Sequence, residues 1–201
     1  DYGKTWTKID SGIPQGAFTR VVREDDKRKD LLYAGTETGI YISWNGGKEW
    51  TPFQLNLPVT PITDLRVHQG DLIAATSGRS FWVLDDLSLI RQYRSEESFK
   101  LFQPENPMLV NGYSEMDGSS ADGTNPYVGV NPATGLVVYY QLPELKSTES
   151  VMMEIKDAQG NLVRSFSSVK DTTSSAQSSD PLLGKSKGLS RFVWNLRYPT
   201  I

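Results

Sequence analysis

The sequence predicts an all-β chain built in two parts, and three observations predict it. Short runs rich in β-branched and aromatic residues alternate with charged or glycine-containing turns. One turn motif returns at a fixed interval in the first half, and the composition changes near residue 104. Helical periodicity never lasts beyond a turn, except for a short helix expected at SEESF, residues 95–99.

The first part is organised by a repeat. Asp1, Gly3, Lys4 and Trp6 match Asn45, Gly47, Lys48 and Trp50, each pair 44 positions apart. At the same offset Thr7 falls on Thr51, Pro14 on Pro58, Phe18 on Ile62 and Thr19 on Thr63. After a deletion in the loop 24–30, LLYAGT (31–36) falls on DLIAAT (71–76). A repeat of roughly 40–50 residues made of short strands has the period of a propeller blade. The strands are FTRVVRE, LLYAGT, GIYIS and WTPF in one copy and ITDLRVH, DLIAAT and SFWVLDD in the next. The expected fold of residues 1–103 is therefore a partial β-propeller of about two four-stranded blades, the first truncated ahead of Asp1.

The motif has the chemistry of a tight turn. Asp1 or Asn45 supplies a short side-chain acceptor for turn amides, Gly3 or Gly47 accommodates a positive φ, and Trp6 or Trp50 covers the packed unit. In the second copy Ser43 leads, giving Ser-x-Asn-x-Gly-x-x-Trp. This resembles the Asp-box, or BNR repeat, of sialidases and sortilin-like propellers, where the box joins the third and fourth strands of a blade. Asp85 and Asp86 follow SFWVL as a degenerate third box, without a Gly-x-x-Trp.

The second part opens with a linker or long loop at 104–127, rich in Gly, Ser, Asn and Pro. GLVVYYQL, SVMMEIKD, NLVRSFSS and LSRFVWNLRY then read as strands, with Asp157–Asn161 as a hairpin turn. Residues 171–181 are polar and low in complexity. A handful of strands over 128–201 suggests one face-to-face sandwich. It resembles the Ig-like or fibronectin-III-like domain of bacterial secreted proteins, in which a further strand usually follows, so this sandwich is expected to be incomplete. Over nearly its whole length the chain resembles secreted bacterial "glycosyl hydrolases" with BNR or sortilin-like repeats. The segment carrying the resemblance best is ATSGRSFWVLDDLSLIRQ (75–92). There the family shows Gly-Arg-x-Phe-Trp-x-Leu-Asp-Asp, often after a His whose place is taken here by Ser77.

Composition excludes several classes. The net charge is −3, and the basic residues are scattered among acidic ones, the longest group, KRK at 27–29, being flanked by EDD and Asp30, so no nucleic-acid partner is expected. There is no cysteine, hence no disulfide or thiolate site, and no apolar run of the roughly 20 residues that span a bilayer. No cofactor and no metal are expected. DGSSADGTN (117–125) is rich in oxygen ligands, but the twelfth position from Asp117 is Val128, not the carboxylate of an EF-hand loop.

Candidate residues are few. Arg79, beside Gly78, suits contacts to a carboxylate or sugar, or a salt bridge to Asp85 or Asp86. The single histidine, His68, lies in VHQGD, a turn setting. A glycosidase needs two facing carboxyl groups, and Glu37, Asp64, Asp85 and Asp86 are candidates that nothing in the sequence pairs. The box residues Asp1, Gly3, Trp6, Ser43, Asn45, Gly47 and Trp50 are structural candidates. Tyr139, Tyr140, Trp194 and Tyr198 are core residues or sugar-stacking platforms. The family resemblance implies a secreted or periplasmic scaffold or binding module for carbohydrate or extracellular protein. The alternative is a glycoside hydrolase fragment, inactive alone, with its catalytic residues upstream. Unpaired blade edges invite self-association.

Overall fold

The computed structural model describes residues 2–94, 98–107, 135–170 and 180–198. Asp1, most of the expected linker 104–127 with its oxygen-rich loop, and residues 171–179 lie outside the described residues. The fold is all-β, with several antiparallel sheets, none of them closed. It divides into two compact units, Asp1–Tyr93 and Arg94–Ile201.

The first unit holds two sheets. β1 (Thr19–Glu24), β2 (Leu32–Thr36), β3 (Ile40–Ser43) and β4 (Thr51–Pro52) form a four-stranded meander. β5 (Ile62–His68), β6 (Asp71–Thr76) and β7 (Phe81–Leu84) form a three-stranded one. The repeat survives at the level of individual bonds. The Ile13 amide donates to the Asp10 carbonyl at 3.0 Å, and 44 residues on the Leu57 amide donates to the Gln54 carbonyl at 2.8 Å. Thr36 Oγ1 donates to the Gly39 carbonyl and Thr76 Oγ1 to the Ser80 carbonyl, closing the two central hairpins alike. Both first strands carry a bulge at the same place, Thr19/Val21 opposite Thr36 and Ile62/Asp64 opposite Thr76.

Strand pairing shifts the expected alignment by one residue. Thr19, not Phe18, is the counterpart of Ile62, since each faces the final threonine of the neighbouring strand. Phe18 accordingly stays exposed whereas Ile62 is fully buried.

The turn between β3 and β4 is organised by buried Ser43. Its Oγ accepts the Gly47 amide at 2.9 Å and donates to Asn45 Oδ1 at 2.9 Å, which in turn accepts the Glu49 amide at 3.0 Å. Gly46 and Gly47 have φ of 71° and 84°, values a side chain would strain. Trp50 then drops onto Ala34, Tyr41, Leu32 and Ile13 and is only 4% exposed. Its indole N–H donates to the Ile9 carbonyl at 2.7 Å and its amide to the Ser11 carbonyl at 2.8 Å. Trp6 is 90% exposed, and its indole N–H donates within its own turn, to the Gly3 carbonyl.

The second sheet departs from the expected four strands. Where Ser43 ends β3, Leu84 ends β7, so no hydroxyl gathers the following amides. Instead Asp86, at φ 57°, accepts the Ser88 amide, and the chain enters a short helix α1 (Ser88–Gln92). The helix thus precedes the expected position 95–99, of which residues 95–97 lie outside the described residues.

In the second unit β9 (Leu136–Leu142) pairs with β8 (Lys100–Leu101) and β12 (Gly188–Trp194), while β10 (Met152–Lys156) and β11 (Leu162–Ser167) form a hairpin. Strand β8, read from sequence as part of residues 1–103, belongs to this unit. Asp157 accepts the Gln159 and Asn161 amides to close the hairpin turn. Tyr140, Leu142, Phe166, Leu183 and Phe192 make the core, with the two phenyl rings 4.7 Å apart at 58°. Tyr140 is buried and donates to the Gly184 carbonyl, Trp194 packs against this core, and Tyr198 is exposed.

Two otherwise matched substitutions separate the roles of the tryptophans. Trp50→Ala is expected to destabilise the first unit by about 3–5 kcal/mol, as for other buried aromatics. Trp6→Ala is expected to shift stability by less than about 0.5 kcal/mol. Urea unfolding of both variants checks the difference.

Candidate functional site

Among the described residues, a polar surface lies where the edge strands β1 and β5 meet. Arg23 on β1 reaches Asp64 on β5 at 2.7 Å, and Arg20 reaches Glu37, in the β2–β3 hairpin, at 2.5 Å. Arg66 and Thr63 are exposed on β5 beside them. Arginines here interrupt the apolar alternation of a strand, and that interruption was the sequence signal for them. It was missed because strand pattern alone does not show which edge faces solvent.

Of the candidate carboxylates, Glu37 and Asp64 are each engaged by a different arginine. Each ion pair holds its carboxylate to its own arginine. Arg79 occupies the tip of the β6–β7 hairpin with its side chain exposed. Its amide donates to Thr76 Oγ1 and its carbonyl accepts the Trp82 indole N–H at 2.8 Å. Asp85 and Asp86 lie beyond the other end of β7, and no ion pair joins them to Arg79 among the described residues. The expected Arg79 salt bridge is absent because a whole strand separates the partners. His68 is exposed at the end of β5. No group of three or more His, Cys, Asp or Glu positioned to hold a metal ion occurs among the described residues.

A second charged cluster was not legible in sequence. Asp25, buried after β1, accepts the amides of Lys27 and Arg28 and both of its oxygens accept Arg91 Nε, at 2.9 and 3.1 Å. Arg91 also reaches Asp26 at 2.8 Å, and Arg28 donates to the carbonyls of Ile90 and Arg91 at the end of α1. Burial pushes the Asp25 carboxyl up, but the Arg91 and amide hydrogen bonds outweigh it and hold it below the usual carboxylate range. Burial, helped by the nearby Asp25 charge, pushes the Tyr33 phenol well up, and its buried hydroxyl has no hydrogen-bond partner among the described residues. The cluster fastens α1 to the β1–β2 loop.

Comparison with protein-family models, with curated proteins and with solved structures returns no match. No helix is long and apolar enough to cross a membrane among the described residues.

Because the Asp25 pKa is lower folded than unfolded, the stability it contributes is complete above the ordinary carboxylate range. It is lost as pH falls through the folded value. Asp25→Asn is expected to cost about 3–5 kcal/mol near neutrality, the usual cost of breaking a buried ion pair. The gap to wild type should close on acidification below about pH 4. Chemical unfolding as a function of pH measures this gap; a gap independent of pH contradicts the assignment.

Proposed function

We propose that the chain is the C-terminal portion of a secreted, bacterial-type Asp-box propeller protein. On this reading its two sheets are successive blades, one of them shortened, and the second unit is an Ig-like sandwich. The observation carrying it is the paired turn chemistry. One box closes the β3–β4 turn through Ser43 and Asn45, and the segment after each box makes the same turn at Asp10–Ile13 and Gln54–Leu57. In such a blade the first strand faces the central channel, so β1 and β5 turn Arg20, Arg23 and Arg66 toward it.

The function supported best is binding rather than catalysis. The exposed arginine-bearing strands offer planar donors to carboxylate and sugar groups, and the nearest carboxylates are engaged by those arginines rather than by each other. The ligand class is an extracellular carbohydrate or protein with acidic groups.

A glycan array followed by titration calorimetry tests this with the 201-residue chain. The expected result is saturable binding to an acidic ligand, weakened about tenfold in Arg66→Ala, where an exposed guanidinium contact is lost. Arg66→Ala should unfold at the wild-type temperature, and aryl glycosides should not be turned over. Turnover of an aryl glycoside that Arg79→Ala or Asp85→Ala abolishes would overturn the binding reading in favour of a glycoside hydrolase.

A further inference from the structure

The turn after β3 places Asn45 directly before Gly46, the one Asn-Gly pair among the described residues. Glycine leaves the nitrogen that follows an asparagine unshielded, so such a pair is open to cyclisation. The Gly46 nitrogen gives up its proton and attacks Asn45 Cγ, and the side-chain nitrogen leaves as ammonia. Water then opens the succinimide at either carbonyl, leaving an aspartate or an isoaspartate at position 45. The turn itself demands the vulnerable glycine. Gly46 has φ 71°, and a Cβ there would stand 3.1 Å from Asp30 Oδ1. Asn45 is exposed, so water reaches it.

The closed turn nevertheless holds both reacting groups. The Gly46 amide donates to the Asp30 carbonyl at 2.9 Å, which keeps its proton in place and fixes its peptide plane. Asn45 Oδ1 accepts the Ser43 hydroxyl at 2.9 Å and the Glu49 amide at 3.0 Å, which fixes the carboxamide. A backbone amide only donates, so the oxygen, not the nitrogen, must face Glu49. No hydrogen bond among the described residues uses Asn45 Nδ2.

We propose that Asn45 is a site of spontaneous deamidation gated by this turn: closed, the turn blocks cyclisation, and each opening releases it. The two products have opposite consequences. Asn45 serves the turn only as an acceptor, so an aspartate keeps both bonds and makes them charge-assisted. Aspartate is also the residue at the matching place in the first copy, Asp1. An isoaspartate routes the chain through the side-chain carbon and adds one backbone atom between Ser43 and Gly47. The Gly47 amide then loses its 2.9 Å bond to Ser43 Oγ, and Trp50 loses its seat on Ala34 and Tyr41. Deamidation therefore either leaves the first unit intact or loosens it, according to which succinimide carbonyl takes up water.

Ageing the 201-residue chain at neutral pH and body temperature, natively and in concentrated urea, tests the proposal. Tryptic peptide 30–48 carries Asn45, and mass spectrometry reads its amide-to-acid conversion with the two products separated by chromatography. Conversion is expected to be at least about tenfold slower in the native chain than in urea, as a local opening equilibrium requires. Ser43→Ala should move the native rate toward the urea rate. The isoaspartate fraction should melt below wild type, and Asn45→Asp should melt no lower than wild type. Equal rates in the native chain and in urea overturn the proposal. So does an isoaspartate fraction that melts with wild type, or an Asn45→Asp chain that melts below it. The native-against-urea comparison uses the unaltered chain, so it decides the gating even where Ser43→Ala fails to fold.

Discussion

The structure of the first unit depends on how the backbone carbonyls of one repeat are satisfied by the tryptophan of the next turn. A buried indole carries a donor that must be paired, and Trp50 pairs it with the Ile9 carbonyl while its amide takes the Ser11 carbonyl. The ring therefore does two things in one place. It excludes water from Ala34 and Tyr41, and it ties a sheet to the segment that enters it. Neither is available unless the chain turns sharply after β3, and Ser43 fixes that turn from inside. A short motif thus sets the position of residues more than thirty places away.

Where the motif fails, a different solution takes over. Leu84 cannot collect amides, and the chain after β7 runs into α1. That helix is too short to hold itself together by propensity. It is anchored instead by Leu87, which is fully buried, and by the Asp25–Arg91 pair with Arg28 on the helix carbonyls. A buried ion pair is a costly fastener, tolerable here because every Asp25 oxygen is engaged and Arg91 has a second carboxylate. The exchange of an apolar clasp for an ionic one leaves the apolar side of β6 and β7 under-covered.

Much of the strand content was readable because each strand is short, rich in Ile, Val, Tyr and Thr, and bounded by glycine or charge. The turn after β3 was readable because its residue types leave few alternatives: a hydroxyl, an acceptor, a glycine and a tryptophan at fixed spacing. Three features were not. The connection from the shared turn to the first strand is one residue longer in the first copy, Ile13 to Thr19 against Leu57 to Ile62, so a constant spacing aligned Phe18 with Ile62 when pairing aligns Thr19. The Asp25–Arg91 contact joins residues 66 positions apart, and nothing local marks either as buried. Strand β8 is two residues long, and its place beside β9 comes from pairing at a distance. The candidate site was legible only as residue types: Arg79 and Asp85 share a conspicuous motif but stand at opposite ends of β7, while the arginines of β1 and β5 meet carboxylates through pairing the sequence does not display.

The most direct measurement is native-state hydrogen exchange resolved at the Gly47 and Glu49 amides and at the amide and indole N–H of Trp50, in wild type and in Ser43→Ala. If Ser43 fixes the turn that seats Trp50, all four protons are strongly protected in wild type. Removal of one hydroxyl then exposes them together, while the hairpin of β10 and β11 exchanges as before. Trp50 protons that keep wild-type protection in Ser43→Ala would contradict it, since the ring would then be seated without the turn.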